Sequence, residues 1–261
     1  MCIRDRLEEV LVTAQKRSQN LLDVPIAISA VSQEMLIKTG VNTLSQVIPM
    51  VPGVTGSDYG LATNTWAIRG ISSNDWTVGS EPSVGVFFDD AYVGRNAFAT
   101  GVFFDINRVE VVKGPQGTLF GRNGLAGAIS MVSNKPSDKN EFSLGIAYGD
   151  EGQQRYELIG NLAVSDTFAV RLAYQHDEVA GMWEEVNSGD DAYQESDTGR
   201  LTERWSPSDD FEAILRANYS EAETNYTSAM NIPLSTIAPG DKFPDKYAVN
   251  DPNYEDAEDY G

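Results

Sequence analysis

Chemistry is most concentrated between Lys113 and Gly127. Glycines stand at 114, 117, 121, 124 and 127, with Pro115 after the first and Arg122 inside the run. Glycines beside basic residues are what a phosphate-binding loop needs, because bare backbone N–H groups cradle the anion. The details do not fit. A Walker-type loop requires Gly-Lys-Ser/Thr, and Gly121 is followed here by Arg122 and Asn123. A dinucleotide turn requires a helix after the glycines, whereas Ala128-Ile-Ser-Met-Val132 reads as a strand. The glycines are better explained by tight turns and close backbone approach. Other chemistries are weaker still. The chain holds 39 Asp and Glu, but no recognisable catalytic pair of carboxylates for glycoside hydrolysis. His176 is the single histidine and Cys2 the single cysteine, which excludes a His-rich metal site and an internal disulfide. No enzyme activity, cofactor or metal is expected.

The elements that hold this run change character along the chain. Strand-like Asp23–Val31 precedes a helix capped by Ser32 and stopped at Gly40. Thr43 and Gln46 fit a capping box for a second short helix, closed by Pro49 and Pro52-Gly53. Short strands follow at Trp66–Gly70, Val84–Asp90 and Val109–Lys113, between polar, glycine-rich loops. From Phe142 the pattern becomes period two. Phe142, Leu144, Ile146 and Tyr148 oppose Ser143, Gly145 and Ala147. Phe168, Val170, Leu172 and Tyr174 oppose Arg171, Ala173 and Gln175, and further segments cover about 156–164, 196–205 and 211–219. Such alternation suits a half-wet soluble sheet and a membrane barrel equally. Connections alternate between short (Ser165–Thr167, Ser206–Asp210) and long, and Phe168, Trp205 and Phe211 sit beside the short ones. That arrangement favours a barrel with an aromatic girdle. No apolar run approaches the roughly 18 residues of a transmembrane helix.

Several stretches, in order, resemble TonB-dependent outer-membrane receptors. They are Asp23-Val-Pro-Ile26, Ala67-Ile-Arg-Gly70, Pro82-Ser-Val-Gly-Val-Phe-Phe-Asp-Asp90 and, most densely, Arg108 to Pro136. The resemblance runs over nearly the whole chain from Leu7. It implies an α+β plug domain followed by antiparallel transmembrane β-barrel strands, about five of the roughly 22 in the plugged class of barrel. The expected plug is 7–137 and the expected barrel part 138–261. Met1–Arg6 is polar and reads as a non-native scar, so the signal peptide is expected to be missing. The resemblance further implies an external ligand, import to the periplasm using TonB-transmitted energy, and a Gram-negative outer-membrane location. Arg108, Glu110, Gly114, Pro115, Gly117, Gly121, Arg122 and Gly127 carry the plug motif. Arg69 and Lys113 match basic positions that latch the plug to barrel-wall glutamates. Lys lacks the planar fork of the more usual Arg at position 113, which predicts a weaker latch. Glu9, Val10, Leu11, Val12, Thr13 and Ala14 resemble a degenerate TonB box, which works by strand addition. A plain first strand of the plug reads equally well there.

Charge speaks to partners. The net charge of −20 argues against nucleic acid. Asp177–Asp197 holds eight acidic residues and no Lys or Arg, and Glu221–Gly261 holds nine against Lys242 and Lys246. Both are expected to be external loops, making a mouth that repels anions. Acidic loops of this kind also bind divalent cations and bridge to lipid phosphates. Tyr59, Trp66, Asp75 and Trp76 fall near the expected apical plug loops, where aromatic faces favour stacking. The expected ligand is therefore a glycan or neutral metabolite rather than an anionic ferric siderophore. The competing expectation is a soluble periplasmic or surface β-rich binding protein.

Overall fold

The computed structural model describes residues 11–13, 19–57, 64–73, 82–94, 103–121, 124–150, 152–184 and 191–224. The chain divides into two compact units, Met1–Lys135 and Pro136–Gly261. No helix among the described residues is long and apolar enough to cross a membrane.

The first unit carries the short strands β1 (Leu11–Val12), β2 (Gln19–Asn20), β3 (Ile28–Ser32), β4 (Val54–Ser57), β5 (Thr65–Ile68), β6 (Val84–Phe88), β7 (Ala91–Tyr92), β8 (Ile106–Lys113) and β9 (Gly127–Ser133). Its main sheet has the order β3-β8-β9-β6-β7, antiparallel throughout except for the parallel pair β6–β9. This sheet is covered on both faces, which is why β6 is an unbroken apolar run. Val109, Val111, Ile129 and Met131 join one core cluster, while Val112 and Ala128 join Phe87 and Phe120 in another. The larger cluster is completed by Leu36, Leu44, Val47, Ile48 and Val51 from the helical segment that follows β3.

That segment follows its caps. Helix α1 (Gln33–Thr39) begins where the Ser32 hydroxyl accepts the Met35 N–H at 3.4 Å. It ends in a Schellman motif: Gly40 is left-handed (φ 67°), its N–H reaches Ile37 O, and the Val41 N–H reaches Leu36 O. Helix α2 (Leu44–Val47) begins with the Thr43 side chain accepting the Gln46 N–H. The return bond of the box is displaced by one residue, since Gln46 Oε1 accepts from Asn42 N at 2.9 Å. Pro49 does not end the segment; it sits inside a 3-10 turn, Ile48–Met50, that prolongs it. The first strand is shorter than the alternation suggested. Asn20 caps a 3-10 turn at Leu21–Asp23, Pro25 offers no N–H, and β3 starts only at Ile28.

The second unit is one antiparallel meander: β10 (Glu141–Tyr148), β11 (Gln154–Ser165), β12 (Phe168–Glu184), β13 (Asp191–Ser208) and β14 (Phe211–Thr224). Its alternation is inside out. Phe142, Leu144, Ile146, Leu172, Leu201 and Leu215 are exposed, while Ala169, Ala173, Thr198, Arg200 and Thr202 on the opposite face are buried. A soluble one-sided sheet buries its apolar face. Much of the acidic stretch expected as an external loop is strand instead. The β12–β13 ladder continues past His176↔Asp197 to Ala180↔Tyr193, because paired backbone groups extend the hairpin whatever the side chains carry.

Candidate functional site

The glycine run forms a closed structural loop. β8 leads through Gly114 (φ 108°) and Pro115 into one turn of helix, α3 (Gly117–Phe120), and then to Gly121 (φ 71°). Its two limbs are tied by Gly114 N–H to Ala126 O and by Gln116 N–H to Gly124 O, both at 2.9 Å. The N–H groups of Leu119 and Phe120 turn back to Gln116 O. The amides of Gly114, Gln116, Leu119, Phe120, Gly121 and Gly124 are therefore committed to the loop itself. Gly127 is the position that admits nothing larger. It has φ 146°, and a Cβ there would lie 2.2 Å from Val112 O and 2.8 Å from Ile68 Cδ1. Gly117 has no such constraint, since nothing lies within 4 Å of its Cβ direction. Arg122 lies outside the described residues.

Two charged groups of the motif build a buried clamp. Glu110 is fully buried in β8, and its Oε1 accepts from Arg108 Nε at 2.7 Å and from the Thr13 N–H at 2.8 Å. Arg108 Nη2 donates in turn to Thr13 Oγ1 at 3.0 Å. Val12, one residue earlier, is buried, and Leu11–Val12 pair with Gln19–Asn20. Leu11, Val12 and Thr13 are thus built into this unit, while Glu9, Val10 and Ala14 lie outside the described residues. The sequence marked Arg108 and Glu110 as motif positions, but nothing local signalled that Thr13, 97 residues away, would be their partner.

Arg69 and Lys113 come together although 44 positions separate them. Arg69 has φ 53°, in the turn after β5, and its N–H is held by Gly53 O at 2.8 Å. Lys113 ends β8, and its Nζ donates to Pro52 O at 2.7 Å. Partial burial, and secondly the Arg69 charge beside it, push the Lys113 ammonium below the usual lysine range. Neither cation forms an ion pair with a described residue. Among the described residues the two like charges thus stand side by side without a counter-charge.

Trp66 departs from its expected place. It lies on β5 in the core, 4% exposed, directly opposite Gly56 on β4. A Cβ at Gly56 would come within 2.7 Å of the Trp66 ring, so the missing side chain is what seats the indole. Buried there, Trp66 offers no stacking face to a ligand. Tyr59, Asp75 and Trp76 lie outside the described residues.

A mixed plug sheet with this loop, followed by an inside-out meander, defines a class of protein, and comparison with known proteins identifies it. Residues 20–128 match the TonB-dependent Receptor Plug Domain. The vitamin B12 transporter BtuB of Vibrio vulnificus is 27% identical over 182 residues, covering 67% of this chain and 28% of that protein. The probable TonB-dependent siderophore receptor PiuA of Acinetobacter baumannii is 31% identical over 157 residues, covering 59% and 20%. The crystal structure of the ferric yersiniabactin uptake receptor FyuA from Yersinia pestis superposes with a TM-score of 0.69 at 21% identity, covering 76% of this chain and 32% of that one. At that identity the likeness is one of fold. The chain is thus similar to the TonB-dependent outer-membrane receptors: it carries their plug domain over residues 20–128, followed by antiparallel strands of the fold their barrels use, and those relatives reside in the Gram-negative outer membrane. It spans between 20% and 28% of the length of these curated relatives.

Proposed function

We propose that the chain serves an outer-membrane receptor, not an enzyme, that binds a scarce ligand outside and imports it to the periplasm with energy transmitted by TonB. The observation that carries this reading is the inside-out second unit: a sheet with a bare apolar face needs lipid around it. A soluble binding protein would leave Phe142, Leu144, Leu172, Leu201 and Leu215 in water. The plug is taken as 7–137 and the barrel part as 138–261.

In this reading Arg69 and Lys113 hold the plug by pairing with carboxylates supplied from outside it. Their adjacency without a counter-charge among the described residues supports that role. TonB engages Glu9–Ala14 by strand addition. For Leu11–Thr13 to be taken up as an added strand, the pairing with β2 and the bonds of Thr13 to Glu110 must first open.

The relatives guide the ligand only loosely. A vitamin B12 transporter and siderophore receptors match this chain at similar identities, so overall identity does not separate these ligand classes. None of those names points to a glycan. We take the ligand to be a scarce, bulky compound, with metal-chelating siderophores and corrinoids first in the screen. The test is uptake of labelled cyanocobalamin and a panel of ferric siderophores by cells expressing the complete receptor, with and without TonB. Import of one compound that disappears without TonB, and with deletion of Glu9–Ala14, supports the reading. Import that persists without TonB would reject it.

A further inference from the structure

His176 lies on the exposed face of the meander, in register with Tyr156 on one side and Asp197 on the other. Glu195, two residues before Asp197, points the same way. One ligand atom from each of His176, Glu195 and Asp197 lies within 4.8 Å of the others. His176 Nδ1 is 3.1 Å from Asp197 Oδ1, and the Tyr174 hydroxyl donates to that same oxygen at 2.5 Å.

The surroundings sharpen what this group needs. On the same face Glu178 stands opposite Glu195, Glu223 stands opposite Glu195 on the other side, and Glu221 stands opposite Asp197. Like charges directly opposite one another destabilise a sheet. Glu221 accepts from the Tyr219 hydroxyl, but none of these five carboxylates forms an ion pair with a described Lys or Arg. The one nitrogen ligand in reach is the His176 imidazole. A lipid band accommodates about 9–11 residues of a tilted strand. Counted from Phe168 at the short-turn end, that brings β12 to the level of His176–Glu178. Tyr148, Tyr156, Tyr174 and Tyr219 share this level or the one below it, as an interfacial belt would.

We propose that His176, Glu195 and Asp197 form a site for one divalent cation of zinc's class, on the outward face at the long-loop edge of the lipid band. One imidazole and two carboxylates give three ligands and leave a position open, and imidazole favours ions of this class over Mg²⁺ and Ca²⁺. Small rotations of the three side chains close 4.8 Å to the separation of donors around such an ion, roughly 3.5 Å given metal–ligand bonds near 2.1 Å. The open position faces the headgroup layer, where an oxygen of water or of a lipid phosphate completes the shell. The cation offsets the repulsion among the neighbouring glutamates and fastens the rising hairpin.

The test uses the complete receptor in detergent, stripped with chelator and titrated with Co²⁺ as a coloured stand-in for Zn²⁺. The expected result is one bound equivalent with visible bands of a four- to five-coordinate ion, displaced by Zn²⁺ and resistant to a large excess of Mg²⁺. His176→Gln and Glu195→Gln should each weaken it at least about tenfold, since even outer-shell partners are worth that much. Asp209→Asn, at the opposite end of the strands, should leave it unchanged. Circular dichroism confirms that each variant keeps its β-structure. Absence of bands, equal binding in His176→Gln, or displacement by Mg²⁺ as easily as by Zn²⁺ overturns the proposal. The measurement does not involve transport, so a failed uptake assay and a failed titration are separable outcomes.

Discussion

Strand β8 of the plug and strand β12 of the meander use the same backbone for opposite ends. Along β8, Val109, Val111 and Val112 are fully buried, and even Glu110 has no exposed surface. Along β12, Ala169, Ala173 and Gln175 are buried, while Leu172 and Tyr174 are exposed. In the plug, apolar area removed from water stabilises the fold and charges survive only when bonded. In the meander the large apolar residues face outward and small or polar ones are covered. Hydrophobicity therefore marks where lipid or core must be, not where the inside is.

The largest test of this contrast is Gly127→Val, which puts a Cβ 2.2 Å from Val112 O at a left-handed backbone position. It should destabilise the plug by about 3 kcal/mol or more, as a lowered urea midpoint of the complete receptor, from strain and overpacking together. Gly117→Ala, with open space around it, should stay within about 0.5 kcal/mol and serves as the control. Next comes Glu110→Ala, which leaves Arg108 without its carboxylate and Thr13 without its acceptor. A loss of about 3–5 kcal/mol is expected, with faster proteolysis before residue 19. An unchanged cleavage rate would show that the clamp does not hold the N-terminal segment. Leu172→Arg probes the other side of the comparison. Facing lipid, it should lose about 2–4 kcal/mol of stability in vesicles; no loss there would mean that this face never meets lipid. Ser32→Ala removes the α1 cap and should lower stability by about 1 kcal/mol in the same urea titration. Smallest in stability is Lys113→Met, which relieves the repulsion from Arg69 and should change the midpoint by less than about 0.5 kcal/mol. Its expected signature is functional: greater antibiotic leakage through the receptor, from a loosened plug.

Much of this was legible locally. Ser32 and Gly40 bound α1 because caps act within one turn of chain. The five meander strands showed themselves through period two, and their short turns through Ser165–Thr167 and Ser206–Asp210. Trp66 was not legible, since the feature that seats it is the absent side chain of Gly56 on a partner strand. The acidic hairpin is strand where its composition reads as loop, because charge disfavours burial but does not prevent backbone pairing on a face that stays exposed.

By itself the sequence determined the elements, the glycine turn and the plug motif, because propensity, capping and positive φ are properties of neighbouring residues. Only the tertiary structure decided that Glu110 clamps Thr13, that Arg69 stands beside Lys113, that Trp66 belongs to the core, and that His176 meets Glu195 and Asp197. Those contacts join residues about 10 to 100 positions apart, through strand register and chain crossings that no single segment encodes.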